Sequence, residues 1–218
     1  MKVAVGENEV SVLHEPATSG DTIATFVCAH GAGGNMQDRG MQAVAKELRG
    51  RGLDVVRFNF VYSEKKSGRP DPMPLLQACI KAVVGAVSAK RLLIGGRSMG
   101  GRAASMLAAD GFAADGLLLL AYPLHPAGKP EQLRDAHLPR ITMPTLCLNG
   151  TRDALCRPDL MEAVLPRLGS NFEMHWLEGA DHSFHVLKSS GHTDGDVMRE
   201  VGESVQGWLQ RRTPLRSS

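Results

Sequence analysis

The stretch Gly95-Gly96-Arg97-Ser98-Met99-Gly100-Gly101 is the most informative part of this sequence. It follows an aliphatic run at residues 91–95, typical of a buried strand, and opens a helical pattern at residues 98–109. The pattern G-x-S-x-G places Ser98 at a tight strand-to-helix turn, where small flanking residues let the backbone fold sharply. It predicts a serine hydroxyl that projects above a sheet, over a helix N-terminus that favours negative charge. The alternative is a glycine-rich turn in which Ser98 only caps the helix.

On both sides of this turn, β-rich runs alternate with helical patterns. Such alternation is typical of a parallel sheet that helices cover on both faces. The pattern therefore predicts an α/β fold in a single domain, residues 1–218, with a frayed tail at residues 213–218. The predicted strands are residues 10–13, 23–29, 53–60, 91–95, 117–122, 145–149 and 172–177. The predicted helices are residues 37–51, 74–89, 98–109, 158–168 and 194–211, and residues 61–74 are predicted to be a loop.

Composition and charge exclude several classes of protein. The chain has 218 residues, 43% of them hydrophobic, which is enough for a sizeable core. Its 25 Lys and Arg nearly balance 23 Asp and Glu. The net charge is therefore too small to create a basic field that would indicate a nucleic-acid or membrane partner. The longest aliphatic run, residues 117–122, is too short to span a bilayer, and the first residues lack a signal-peptide pattern. We expect a cytoplasmic protein.

The four cysteines are expected to be structural. Cys28, Cys79 and Cys147 lie in apolar segments, where a free thiol behaves as a small hydrophobe. Neither Cys156 nor any of the other three cysteines belongs to a C-x-x-C pair. None of the four lies at a glycine-flanked turn. We therefore interpret all four as reduced thiols rather than as nucleophiles.

A nucleophilic serine needs a base and an orienting acid, which in this architecture follow it in the order Asp or Glu, then His. Asp153 follows the run at residues 145–149, and His182 follows the last predicted strand, residues 172–177. Both lie just past the carboxyl ends of strands, as Ser98 does, and open α/β sheets place their sites at that edge. The three side chains are therefore predicted to form a catalytic triad. If each residue is considered alone, the simpler interpretation is that Asp153 is a turn residue or a helix N-cap and that His182 is a loop histidine.

An oxyanion hole is expected from two backbone N–H groups, one after the nucleophile and one in an early strand–helix loop. Met99 supplies the first. The run His30-Gly31-Ala32-Gly33-Gly34 follows a predicted strand, and its glycines let N–H groups point into the site. Ala32 is the preferred second donor, with Gly33 as the alternative.

The same glycines do not support a nucleotide site. Met36 stands where a dinucleotide fingerprint needs its third glycine, and no G-x-x-x-x-G-K-[ST] occurs. His182 and His185, with three nearby aspartates, are a conceivable metal site, but no strong metal motif matches them. We expect neither a metal nor an organic cofactor.

These motifs together resemble the α/β-hydrolase superfamily, and the resemblance covers nearly the whole chain. Residues 95–102 (GGRSMGGR), 122–126 (YPLHP) and 179–182 are similar to a subgroup of small, nearly lidless hydrolases. That subgroup is related to dienelactone hydrolases and to a mammalian testis-expressed family of undefined activity. The resemblance implies an eight-stranded, mostly parallel sheet with minimal or no cap, and the triad already named.

Two features limit what the resemblance implies about activity. Dienelactone hydrolases use a cysteine nucleophile, whereas this chain has Ser98, so their lactone substrate does not transfer. One relative of the subgroup serves as a subunit of a chromatin-modifying complex, which indicates binding rather than catalysis.

The substrate side of the site carries weaker signals. Only about twenty residues separate Tyr122 from Met143, too few for a large helical cap, so an open cleft is expected. Tyr122, Leu124 and His125 are candidates for its wall, with packing of the turn as the alternative. Arg97 is expected to pair with a carboxylate for structural reasons, with substrate contact as the alternative. The set Lys65, Lys66 and Arg69 is a candidate for attracting an anionic substrate, or simply a solvated loop.

The sequence therefore predicts a serine hydrolase that cleaves an ester or thioester of a small or exposed acyl group through an acyl-enzyme on Ser98. Two alternatives stay open: a non-catalytic binding module on the same fold, and an acyltransferase with the same triad. The partner expected is a small acyl substrate, and the oligomeric state is not predicted.

Overall fold

Eight strands form one sheet in residues 1–212, the part of the chain that the computed structural model describes. They are β1 (Lys2–Val5), β2 (Asn8–Glu15), β3 (Ala24–Ala29), β4 (Leu53–Phe58), β5 (Leu92–Arg97), β6 (Gly116–Leu120), β7 (Thr145–Gly150) and β8 (Phe172–Leu177). Their order in the sheet is β1-β2-β4-β3-β5-β6-β7-β8. β2 pairs antiparallel with β1 and with β4, whereas the remaining neighbours are parallel.

Helices cover both faces of this sheet. Their bounds are α1 (Arg39–Arg49), α2 (Val61–Glu64), α3 (Met73–Gly85), α4 (Met99–Ala109), α5 (Pro158–Val164) and α6 (Asp194–Arg211), with short 3-10 turns at Leu138–Arg140, Leu165–Arg167 and Lys188–Ser190. Buried side chains of α1 and α6 form one core layer, and those of α3, α4 and α5 form the other. The sheet therefore lies between two apolar layers.

The central strands are apolar on both sides because each one is sandwiched between these layers. All residues of β3 and β6 are buried. Along β3, Val27 and Ala29 pack into the layer of α3 and α4, while Phe26 and Cys28 pack into the layer of α1 and α6. Successive side chains point to opposite faces of a strand, which explains the unbroken hydrophobic runs. The predicted α/β fold with a mostly parallel sheet is confirmed.

Several boundaries differ from the sequence-based prediction. The strand β1 was not predicted, and residues 61–74, expected to be a loop, begin with the short helix α2. The predicted helix at residues 158–168 ends at Val164, because Pro166 in the following 3-10 turn lacks a backbone N–H. The frayed tail predicted at residues 213–218 lies outside the described residues. Within residues 1–212, no helix is both long and apolar enough to cross a membrane.

Parallel strands β3, β5, β7 and β8 end at the same edge of the sheet. Ala32, Ser98, Asp153 and His182 each follow one of these strands within five residues. The segment between β6 and β7 holds one 3-10 turn and no α-helix, so no helical cap covers this edge from there. The topology thus gathers the predicted site residues at the carboxyl edge.

Candidate active site

The turn at Ser98 has a strained backbone. Ser98 joins β5 to α4 with φ of 51° and ψ of −118°, a region that non-glycine residues rarely adopt. Its N–H donates to the Leu120 carbonyl at 2.9 Å, and its carbonyl accepts from the Arg102 N–H at 2.9 Å. These bonds to a neighbouring strand and to the helix hold the serine in place at the sheet edge.

The glycines of the motif are required by close packing against the end of β3. A Cβ atom on Gly96 would lie 2.1 Å from the Ala29 carbonyl oxygen, and Gly96 has φ of +144°. A Cβ atom on Gly100 would lie 2.5 Å from that same oxygen and 2.6 Å from the His30 carbonyl oxygen. Both approaches are shorter than real Cβ contacts, so the turn can form only with glycine at these positions.

The structure brings Ser98, His182 and Asp153 into one chain of hydrogen bonds. His182 Nε2 lies 2.8 Å from Ser98 Oγ, and His182 Nδ1 lies 2.8 Å from Asp153 Oδ2. An ionised carboxylate can only accept, so Nδ1 carries a proton and neutral His182 presents Nε2 as an acceptor to the serine hydroxyl. The Asp153 side chain is fully buried, while the His182 side chain is 26% exposed to solvent. This geometry is that of an activated serine nucleophile.

Asn149, which the sequence analysis missed, orients the aspartate. Asp153 Oδ1 accepts from the Leu155 N–H at 2.7 Å, and Oδ2 accepts from Asn149 Nδ2 at 3.1 Å. The same Asn149 amide donates to the Tyr122 carbonyl at 3.0 Å and accepts from the Tyr122 N–H at 2.9 Å. The signal in the sequence was an amide side chain at the end of an aliphatic run. Such a residue is expected to be buried, as Asn149 is, and a buried polar group needs hydrogen-bond partners.

Arg97 stabilises the histidine loop through a main-chain contact. Its Nη2 donates to the His182 carbonyl at 3.0 Å. Its guanidinium lies against Gly40 of α1, where an added Cβ would approach Nη1 to 2.9 Å. The predicted carboxylate partner is wrong: in residues 1–212 no carboxylate lies within ion-pair distance of this side chain, because it extends toward the loop after β8.

The residues considered as metal ligands have other roles. His185 Nδ1 forms an exposed ion pair with Asp194 at 2.9 Å, and that contact raises the pKa of His185. Asp181 Oδ1 accepts the N–H groups of Ser183 and His185, which closes the loop that carries the candidate base. Across residues 1–212, no three His, Cys, Asp or Glu side chains are grouped as a metal site would need.

The two predicted oxyanion donors lie beside the serine. Met99 is the first residue of α4, so its N–H has no partner within the helix. In the described residues, neither this N–H nor that of Ala32 donates to a protein acceptor. Ala32 lines both cavities that contain Ser98, whereas Gly33, the alternative donor, lines neither. The geometry favours Ala32 over Gly33.

His30 fixes the loop that carries Ala32. Its Nδ1 donates to the Gly31 carbonyl at 2.8 Å, and its Nε2 accepts from the Phe60 N–H at 3.1 Å. The Tyr62 hydroxyl also donates to the Gly31 carbonyl, at 3.1 Å. Burial lowers the pKa of His30, which keeps the ring neutral and able to accept. This histidine therefore holds the loop in position and is buried away from the site.

Two cavities meet at Ser98. The larger has a volume of about 500 Å³ and the smaller about 290 Å³. Both are lined by Ala32 and Leu155 as well as by the serine, but only the smaller is lined by His182. The larger one extends away from the histidine between α3, the start of α4 and the segment after β6, where its lining includes Met73, Leu76, Met99, Pro123, Pro126 and Ala127.

The prediction that Tyr122, Leu124 and His125 wall the cleft is wrong. All three side chains are buried, and neither cavity is lined by them. Ala121 has φ of 51°, which turns the chain inward after β6. The Tyr122 hydroxyl donates to the Arg134 carbonyl in the interior, at 2.6 Å. Gly33 also lines neither cavity, and Lys65, Lys66 and Arg69 lie exposed on a loop away from both.

The fold and the site define a class of protein. A mostly parallel sheet with a serine on a strand-to-helix turn, followed in the chain by an aspartate and a histidine at the same edge, is the architecture of the α/β serine hydrolases. A family profile described as "Alpha/beta hydrolase domain" matches residues 22–210. The chain therefore belongs to the alpha/beta hydrolase family, and family and site together indicate a hydrolase.

Solved structures of other proteins are similar over almost the whole chain. An alpha-beta serine hydrolase homologue from Coxiella burnetii has a TM-score of 0.75 at 22% identity, covering 98% of this chain and 96% of its own. An α/β serine hydrolase without lid from Xanthomonas campestris has a TM-score of 0.75 at 20% identity, with 98% and 94% covered. A dienelactone hydrolase from Anabaena variabilis has a TM-score of 0.71 at 19% identity, with 97% and 95% covered. These likenesses show the fold.

Proposed function

We propose that this protein is a serine hydrolase that cleaves a carboxylic ester or thioester through an acyl-enzyme on Ser98. The observation that carries the proposal is the hydrogen-bonded chain from Ser98 through His182 to Asp153, with 2.8 Å at both steps. His182 takes the Ser98 proton as the Oγ atom attacks the acyl carbon. Asp153 keeps the imidazole in the required tautomer and stabilises the imidazolium that forms.

The tetrahedral intermediate carries its negative charge on the former carbonyl oxygen. The N–H groups of Ala32 and Met99 are proposed to donate to this oxygen, each contributing about 3 kcal/mol. When the intermediate collapses, the bond to the leaving group breaks, and that group takes the proton from His182. Water then gives a proton to His182 as it attacks the acyl carbon. When this second intermediate collapses, the bond to Ser98 Oγ breaks, Oγ takes the proton back from His182, and the acid leaves. No step uses a metal or an organic cofactor.

The positions of the two cavities support a proposal for where the two halves of the substrate bind. The leaving group receives its proton from His182, so it must lie on the histidine side. The smaller cavity is lined by His182 and is proposed to hold the alcohol or thiol half. The larger cavity extends away from it, is lined by Met99 and is proposed to hold the acyl half. We call the larger one the acyl cavity from here on.

A substrate panel tests the proposal. We expect wild-type protein to hydrolyse 4-nitrophenyl esters or acyl thioesters of short chains, and we expect Ser98→Ala to lose this activity. Ser105→Ala is the matched control, because Ser105 Oγ also lies 2.8 Å from a histidine, His137, but is fully buried outside both cavities. Its turnover should stay close to that of wild type. A wild-type protein with no Ser98-dependent turnover of any panel member would contradict the proposal and favour a binding module.

A further inference from the structure

Two arginine side chains, Arg102 and Arg134, line the acyl cavity beside Ser98. Neither forms an ion pair with a carboxylate or a side-chain hydrogen bond anywhere in residues 1–212. Buried or half-buried guanidinium groups normally have partners, because removing them from water is costly. Two such groups without partners at one cavity therefore require an explanation.

Arg102 is held in place by the helix that begins at the candidate nucleophile. Its N–H donates to the Ser98 carbonyl at 2.9 Å, so the first turn of α4 fixes its backbone one turn after the serine, and both residues line the acyl cavity. Its Nε atom is buried and has no hydrogen-bond acceptor among the described residues. Arg102 is half-buried and lines the cavity.

Arg134 reaches the same cavity from the segment after β6. Its backbone is fixed on both sides: its N–H donates to the Leu124 carbonyl at 2.7 Å, and its carbonyl accepts from the Tyr122 hydroxyl at 2.6 Å. Burial, and then repulsion from Arg102, lower the pKa of this guanidinium. The fold therefore holds two like charges close enough to repel each other, an arrangement that an anion between them would stabilise.

The other charged groups nearby do not neutralise this pair. Asp71 lines the cavity too and brings one negative charge against the two positive ones; its Oδ2 accepts from the Tyr62 N–H at 2.8 Å, and within residues 1–212 it forms no ion pair with either arginine. Asp135, next to Arg134 in the chain, is paired with Arg167. Burial, and then the charges of Arg102 and Arg140, lower the pKa of His137 to about 4, so this ring is neutral. The lining keeps an excess of positive charge.

We propose that the acyl half of the substrate carries a carboxylate, which Arg102 and Arg134 bind, so that the enzyme acts on half-esters or half-thioesters of dicarboxylic acids. This inference rests on the proposed function and on the assignment of the acyl cavity. Arginine binds a carboxylate through two parallel N–H donors, and a pair of guanidinium groups offers more than one such fork. Ser98 and Arg102 are four residues apart and line the same cavity, which suits a short chain between the reacting carbonyl and the carboxylate.

The test compares two substrates with the same number of acyl carbons. 4-Nitrophenyl hydrogen adipate ends in a carboxylate, and 4-nitrophenyl hexanoate has a methyl group in its place. On wild-type protein we expect kcat/KM to be about 10- to 100-fold higher for the adipate, the range that a charge-assisted hydrogen bond produces. Arg102→Gln and Arg134→Gln should each remove most of this preference, seen as a fall in the ratio of kcat/KM for the adipate to kcat/KM for the hexanoate.

Arg199→Gln is the matched control, because it removes the same charge from an exposed position on α6. It should keep the full preference for the adipate. Equal kcat/KM for both substrates on wild-type protein would overturn the inference. So would a proportional loss on both substrates in the two cavity variants, since that result would indicate a structural role for the arginines.

A binding experiment separates this inference from the proposed function. Monoethyl adipate is titrated by calorimetry into Ser98→Ala and into Ser98→Ala combined with Arg134→Gln, which removes the cation that is not on the nucleophile's helix. Binding to the first and at least tenfold weaker binding to the second supports the carboxylate site even if neither nitrophenyl ester is hydrolysed. Equal binding to both, or binding to neither, overturns it.

Discussion

At the scale of single residues, the candidate triad depends on how the buried carboxylate is held. Asp153 accepts from the Leu155 N–H and from the Asn149 amide, and the latter also bonds both main-chain groups of Tyr122. One side chain thus links the ends of β6 and β7 to the acid that orients His182. We regard Asn149 as a positioning residue, because it acts on the chemistry only through Asp153.

Replacement of that amide should affect turnover more than substrate binding. Asn149→Ala removes a donor to Asp153 and leaves the buried Tyr122 N–H without a partner, while the Tyr122 carbonyl keeps the Leu124 N–H, and the free energy of unfolding should fall by about 1–3 kcal/mol. We expect kcat for an accepted ester to fall roughly tenfold while KM changes little, because the acid loses its fixed orientation.

Asn171→Ala is a matched control for this prediction. Its Nδ2 also donates to main-chain carbonyls, those of Ile141 and Met143, but it lies at the opposite end of the strands. It should lose stability and retain kcat. Equal kcat losses in the two variants, measured at a temperature where both are folded, would show that Asn149 contributes to stability alone.

At the scale of elements, the strand-to-helix turn was predictable and its surroundings only in part. G-x-S-x-G between an aliphatic run and a helical pattern locates Ser98, because the geometry of the turn limits which residues can flank it. Asp153 and His182 could be located for a related reason, since strand ends in a parallel sheet meet at one edge. The acceptor of Arg97 could not be predicted, because it is a main-chain carbonyl and every residue has one.

The substrate wall and the edge strand were missed for other physical reasons. The positive φ of Ala121 turns the next residues into the core. Alanine rarely adopts a positive φ, so the sequence does not indicate this turn. The four-residue strand β1 pairs with its neighbour through the main chain, and its alternation is too short to stand out. Interactions between distant parts of the chain decide both features.

The packing of the turn against β3 gives a prediction about stability. Gly96→Ala would place a methyl group 2.1 Å from the Ala29 carbonyl oxygen, at a φ that alanine rarely adopts. The free energy of unfolding in urea should fall by about 3 kcal/mol or more. Gly85→Ala, where no heavy atom lies within 4 Å of the added Cβ, should be neutral or slightly stabilising. Equal stability of the two variants would disprove the packing argument.

At the scale of the whole molecule, burial of titratable groups makes stability depend on pH. His137 is buried between the 3-10 turn at Leu138–Arg140 and α4, where its Nε2 lies 2.8 Å from Ser105 Oγ. Burial first, and then nearby arginines, lower its pKa from 6.5 to about 4. Between these two values the unfolded chain holds a proton at this position that the folded chain does not.

The sign of the effect follows from this difference in bound protons. Stability rises with pH wherever the unfolded state binds more protons, so the contribution of His137 is complete above pH 6.5 and is lost as pH falls toward 4. In His137→Asn, which keeps a polar group but does not titrate, the free energy of unfolding should vary less over this range. Urea unfolding at several pH values checks this prediction. Parallel plots of the free energy of unfolding against pH for the two proteins would contradict it.

The central claim, that the molecule assembles an activated serine at the edge of its sheet, has a direct test that needs no knowledge of the substrate. A fluorophosphonate probe forms a covalent bond with a serine hydroxyl only where a base and an oxyanion hole activate it. Intact-protein mass spectrometry should show one adduct on wild-type protein and none on Ser98→Ala, with Ser105→Ala labelled as wild type. A wild-type protein that stays unlabelled, or one whose labelling survives in Ser98→Ala, would contradict the account.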